Sequence, residues 1–117
     1  MAVEHYILKN SGTEIVIKVY TNDVNGGTHD IALAELAENG ETITNLAFKE
    51  LFWTCRPNKT ITVQRIDGAE LEGGYFFANT GTWHFNGFVD ETYSNLPFRF
   101  TFDAPGTTII RLKKTVA

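Results

Sequence analysis

Phe98-Arg99-Phe100-Thr101-Phe102 alternates apolar and polar residues without a break. Successive strand side chains point to opposite faces, so this stretch predicts a strand with its aromatic face on a core and Arg99 and Thr101 in water. Residues 3–9 and 13–21 flank Asn10-Ser11-Gly12, a turn whose residues tolerate positive φ. They predict a hairpin in which Ile15, Ile17 and Val19 share one face. Residues 60–66 are a β-branched run, and residues 107–113 place Thr108, Ile110 and Leu112 opposite Ile109 and Arg111. The last pattern fits a strand covered on both faces near its middle, and its Lys113-Lys114 end reads as a charged guard against edge pairing.

Other segments carry a weaker period. Residues 42–55 are long enough for two strand pieces or one bent strand, with Leu51 and Trp53 on one face and Phe48 and Phe52 on the other. In residues 31–37 the alternation favours a strand, whereas the Ala, Leu and Glu content allows a short helix of barely two turns. Glu38-Asn39-Gly40-Glu41 predicts a tight turn, and Arg56-Pro57-Asn58-Lys59 another with Pro in its early position. Residues 75–78 and 82–85 flank a turn at Asn79-Thr80-Gly81. Residues 22–30, 67–74 and 86–97 read as loops. Short strands separated by turn signals predict an all-β, single-domain antiparallel β-sandwich over residues 1–117, jelly-roll or Ig-like, with about eight strands.

Composition narrows the picture. Of 117 residues 43% are hydrophobic, including nine Phe, which suffices for a core and argues against disorder. A net charge of −4 argues against general binding to nucleic acid or to anionic membranes. No run of apolar residues is long enough to span a bilayer as a helix. Met1-Ala2-Val3-Glu4-His5-Tyr6 lacks the basic start and apolar segment of a secretory signal, so the expectation is a protein kept in the cytosol of the producing cell or released by lysis. Cys55 stands alone and reads as a buried, inert thiol.

Reactive constellations are sparse. His5, His29 and His84 are far apart in sequence and match no metal-ligand spacing. Thr28-His29-Asp30 places an imidazole beside a carboxylate, but no nucleophile motif accompanies it, and a solvated loop is the better reading. Asp67, Glu70 and Glu72 lack the Asp-x-Asp-x-Asp-Gly spacing that wraps calcium. Gly26-Gly27 and Gly73-Gly74 lack a Lys-Ser/Thr sequel for phosphate, and Asn58-Lys59-Thr60 reads as a turn rather than a glycosylation site. The sequence therefore predicts no catalytic residue, no metal and no cofactor.

Contact residues are better represented. Tyr75, Phe76, Phe77, Trp83, Phe85, Phe88 and Tyr93 crowd one region, more aromatics than one strand face buries. Tyr75, Phe88 and Tyr93 are the aromatic candidates for a protein interface. Asn25 and His29 in the loop of residues 22–30, Glu70 in the acidic loop, and Arg111 and Lys113 beside Lys114 complete the candidate set.

The layout of residues 47–85, with LFWTC, a turn, TITVQRI, an acidic Gly-containing loop, GYFFA and a turn into TWHF, resembles the small β-rich virion structural proteins of tailed bacteriophages, including capsid decoration (cement) proteins. The resemblance is carried by about one-third of the chain and rests on layout rather than on a diagnostic motif. It implies a non-enzymatic virion component, assembled in the host cytoplasm, that binds and stabilises a lattice of major capsid protein as a homo-oligomer or as lattice-bound copies. A tail, neck or fibre position is the alternative within that class. A carbohydrate-binding sandwich that stacks sugars on Trp83, Tyr75 or Tyr93 is the alternative outside it.

Overall fold

The computed structural model describes residues 3–78, 80–84 and 93–117. Nine strands run in the order β1 (Glu4–Asn10), β2 (Glu14–Thr21), β3 (Gly27–Ile31), β4 (Ile43–Cys55), β5 (Thr60–Asp67), β6 (Glu70–Ala78), β7 (Thr80–His84), β8 (Phe98–Phe102) and β9 (Gly106–Val116). They form two antiparallel sheets, β1-β2-β9-β4-β7 and β3-β8-β5-β6. The pairings β2·β9, β3·β8, β4·β7 and β5·β6 are nested one inside the next. A long antiparallel ribbon folded over on itself gives that nesting, which is the jelly-roll arrangement and not the Ig-like one. β1 adds a fifth strand outside the ribbon.

The core lies between the sheets and follows the alternation. Phe98, Phe100 and Phe102 on β8 are buried, as are Ile15, Ile17 and Val19 on β2 and Ile110 and Leu112 on β9. Fully burying each such side chain is worth about 1.5–3 kcal/mol, and β8 supplies three on one face. Arg99 and Thr101 face outward; Arg99 forks onto Asp30, opposite it on β3, with Nε–Oδ1 at 2.7 Å and Nη2–Oδ2 at 2.9 Å.

Several segments depart from the sequence expectation, each for a physical reason. β4 is one bent strand with register shifts between Ile43 and Asn45 and between Phe48 and Glu50. The second shift resets the alternation, so Phe48 is buried on the same side as Leu51 while Phe52 is exposed. Residues 31–37 are neither strand nor α-helix: Ile31 ends β3, and Leu33–Leu36 make one 3-10 turn, its entry held by the Ala32 N–H donating to Glu35 Oε2 at 2.7 Å. The expected loop of residues 67–74 is a tight hairpin, with Gly68 at φ 61° between β5 and β6. The loop of residues 22–30 is shorter than expected, because Thr28, His29 and Asp30 belong to β3. β9 lies in the middle of its sheet, and Lys114 is buried rather than guarding an edge. Among the described residues no helix is long and apolar enough to cross a membrane.

Candidate functional site

β1 is the most unusual element of the fold. The five-stranded sheet is one strand wider than the sheet facing it, so β1 overhangs the sandwich. It is bonded to β2 on one side, and among the described residues no strand covers the other. A register shift between Ile7 and Lys9 leaves Leu8 bulged out of the pairing. Tyr6, Ile7 and Leu8 are 51%, 43% and 53% exposed, a run of three apolar side chains beside an open ladder of backbone donors and acceptors. Tyr6 lies against Tyr20 with ring centroids 5.8 Å apart, and Lys18 sits 5.0 Å above the Tyr20 ring. The Tyr20 hydroxyl donates to Glu4 Oε2 at 3.1 Å; its hydrogen bonding with Tyr6 and then with Glu4 pushes its pKa up to about 12.

The seam under β1 is closed by histidines. His5 projects from the inner face of β1, opposite Val19, and His29 from the inner face of β3, opposite Phe100. His5 Nδ1 lies 2.8 Å from His29 Nε2, joining the edges of the two sheets. Burial first, and then the neighbouring His29, lowers the His5 pKa, against a smaller opposing effect of the Glu35 carboxylate. Asp30 points to the other face and is held low by its hydrogen bonds from Arg99. His29 and Asp30, adjacent in sequence, therefore attract each other only through space and do not form the hydrogen-bonded pair of a base and its orienting acid.

The opposite seam is aromatic. Tyr75 on β6 packs edge-on against Phe48 at 5.0 Å and against Trp83 of β7 at 5.2 Å. Trp83 is 47% exposed at the rim, while Trp53 lies over Gly81, where any Cβ would collide with the indole. Tyr75 is thus a half-buried seam residue; it is the Trp83 rim that faces solvent. Tyr93 is exposed at positive φ (53°) in a turn closed by the Leu96 N–H donating to the Tyr93 carbonyl at 3.1 Å.

The remaining candidates are dispersed. Asn25 is exposed, and its N–H donates to Asp23 Oδ1 at 2.9 Å. Glu70 is exposed at the start of β6, at the far end of the other sheet. Arg111 and Lys113 are exposed on the outer face of β9, but Lys114 turns inward. Its ammonium donates to Glu41 Oε1 at 2.7 Å and Asn10 Oδ1 at 2.5 Å, which pins the loop before β4 against the end of β1. The basic strip expected along β9 is therefore shorter by one residue. Phe85 and Phe88 lie outside the described residues, as do the side chains of Phe76, Phe77 and His84. Cys55 is half-buried, and its thiol donates to the Lys59 carbonyl at 3.3 Å.

Beside Lys113, on the outer face of the same sheet, Glu14 collects three cations: Lys49 at 2.9 Å, Lys9 at 3.0 Å and Arg111 at 3.9 Å. Hydrogen bonds from Lys49 and then Lys9 lower its pKa to about 2. A carboxyl with a lowered folded pKa contributes stability above its ordinary value of 4.5, and that contribution is lost as pH falls from there toward 2. The Glu14 carboxyl is expected to titrate near 2 by NMR, and Glu14→Gln is expected to flatten the acid limb of thermal stability between these values.

Sequence reasoning placed residues 3–9 in a hairpin but did not single out Tyr6, Ile7 and Leu8 as exposed apolar residues. The available signal was three consecutive apolar residues, Tyr6-Ile7-Leu8, between polar pairs in a strand that does not alternate. Among the described residues no group of three or more His, Cys, Asp or Glu side chains is placed to hold a metal ion. The chain matches no protein-family model and no curated protein.

Proposed function

We propose that this chain is a non-enzymatic virion structural protein, a capsid decoration protein, that fastens to neighbouring major capsid protein subunits by accepting one of their strands along β1. The observation that carries the reading is the open, apolar β1 edge. Strand addition takes its affinity from main-chain hydrogen bonds and its specificity from alternate side chains. Tyr6 and Leu8, flanked by Glu4 and Lys9, provide such side chains beside bonding groups that β2 does not use. The jelly roll recurs in viral capsid and lectin domains; fold alone does not choose between them, so the site has to. Stable recognition buries about 800 Å² per partner, more than one strand presents, so the outer face of the β1–β2 hairpin contributes with Tyr20 and Lys18.

A second reading, glycan binding, is favoured by one specific observation: Trp83 stands half-exposed with Tyr75 against its edge, as in a sugar-stacking platform. Cosedimentation of the purified protein with expanded empty capsids from its source separates the two. Wild type and Trp83→Ala are expected to bind alike, whereas Leu8→Glu, at a position exposed enough to leave the fold intact, is expected to weaken binding at least about tenfold. Absence of capsid binding by the wild type sinks the decoration reading. Full binding by Leu8→Glu removes β1 as the docking edge. Glycan-array binding lost in Trp83→Ala replaces the proposal with the second reading.

A further inference from the structure

We propose that His5 and His29 form a pH-operated latch that holds the β1 edge against the four-stranded sheet when they share a proton and releases it when both imidazoles are charged. The inference stands on the geometry of the seam and does not depend on the docking reading. Two ring nitrogens 2.8 Å apart need one hydrogen between them: one nitrogen donates and the other offers its lone pair. Two neutral rings, or one neutral and one charged, satisfy that bond. Two imidazolium rings do not, because each then presents an N–H to the other, and two like charges face across ring centroids 5.0 Å apart.

The surroundings relieve that conflict only in part, through Glu35 acting on His5 and Asp30 acting on His29. Val19 of β2 lies opposite His5 and Phe100 of β8 opposite His29, so the flanking strands offer apolar side chains. Glu35, on the 3-10 turn, is the carboxylate that acts on His5, and it is already engaged by the Ala32 N–H. Glu4 beside His5 and Asp30 beside His29 lie on the opposite faces of their strands, bonded to Tyr20 and Arg99. Lys18 also faces outward, over the Tyr20 ring.

The sign follows from the lowered His5 pKa. A base whose folded pKa lies below its ordinary value of 6.5 stabilises the closed state fully above that value and loses the contribution as pH falls below it. Val3, just before β1, stays buried beside Gly27 of β3. Opening is therefore local to β1 and leaves the β2·β9 pairing in place.

Amide hydrogen exchange read residue by residue tests the latch. After correction for intrinsic rates, β1 amides of the wild type are expected to exchange about tenfold faster near pH 5 than near pH 7.5, with β9 amides unchanged. His29→Gln, which keeps a hydrogen-bonding group but cannot gain a charge, is expected to abolish that pH dependence. Glu35→Gln removes the anion that favours charged His5 and is expected to move the His5 titration to lower pH and to enlarge the opening of β1 near pH 5. Nitrogen-15 shifts of the wild-type imidazoles supply a readout that needs no variant: His5 is expected to titrate below 6.5. Equal β1 exchange at both pH values, a pH dependence that survives in His29→Gln, or His5 titrating at or above 6.5 each overturns the proposal.

Discussion

Arg65→Ala is expected to lower the thermal midpoint by at least about 15 °C, the largest single effect in this molecule. Arg65 sits on the inner face of β5, in line with Ile61 and Val63, and is 2% exposed. Its guanidinium donates to the Leu96 carbonyl at 2.7 Å and to the Leu46 carbonyl, and lies 3.9 Å over the Phe98 ring and 5.1 Å from Phe48. One side chain thus joins β4, β5, β8 and the turn before β8. Truncation leaves the buried Leu46 carbonyl and the part-buried Leu96 carbonyl without this donor, at about 1–3 kcal/mol for the buried one, and opens a cavity between two aromatic rings. Arg65→Met fills much of that space with apolar stem and is expected to lose less than Arg65→Ala. Differential scanning calorimetry of the two variants separates the lost volume from the lost hydrogen bonds. A midpoint shift under about 5 °C for Arg65→Ala refutes the assignment.

Gly26→Ala is expected to cost about 3 kcal/mol, the second largest effect, and to loosen the β3·β8 pairing specifically. Gly26 is buried at φ 72°, a conformation that L residues adopt only at a cost. An added Cβ there meets the backbone carbonyl of Phe102, and β8 backbone has no rotamer by which to retreat. Gly40, at φ 80°, has open space around its would-be Cβ. Gly40→Ala therefore carries the strain without the collision and is expected to cost about 1 kcal/mol. Chemical denaturation of the pair, with NMR of the β3 amides, checks both magnitude and location. Equal costs in the two variants refute the collision argument.

Local pattern was most legible where one residue type per face was unambiguous. Phe98–Phe102 emerged with the predicted bounds and faces, because three buried rings against two polar residues admit a single orientation. Residues 13–21 followed the same logic, since a slip by one residue would expose Ile15, Ile17 and Val19 together. β4 was legible as a strand and not as a face, because bulges shift the phase without a marker in the sequence. Lys114 shows a different limit. A lysine after Lys113 looks like a soluble end until Glu41 and Asn10, far away in sequence, are brought to it.

The candidate site was legible in its chemistry and not in its location. The aromatic cluster did mark a seam, yet Tyr75 is turned partly inward by Phe48 and Trp83. His29 was singled out beside Asp30, whereas its partner is His5, on the neighbouring sheet. Alternation assigns adjacent residues to opposite faces, so a His-Asp neighbour pair on a strand is separated by the very period that predicts the strand. Which strand lies at an edge depends on the whole pairing order, and β1 and β9 carry similar apolar content with opposite positions.

The nested pairing fixes when the molecule can close. β9 lies between β2 and β4, yet it is synthesised after both, with fifty residues between the end of β4 and its start. Until β9 emerges from the ribosome, β2 and β4 each carry a bare inner ladder, and the five-stranded sheet exists only as two unconnected halves. Closure is then a single late insertion between waiting neighbours. Until that insertion a nascent chain carries ladders that other chains can pair with, which makes translation speed and crowding of ribosomes on one message determinants of its yield.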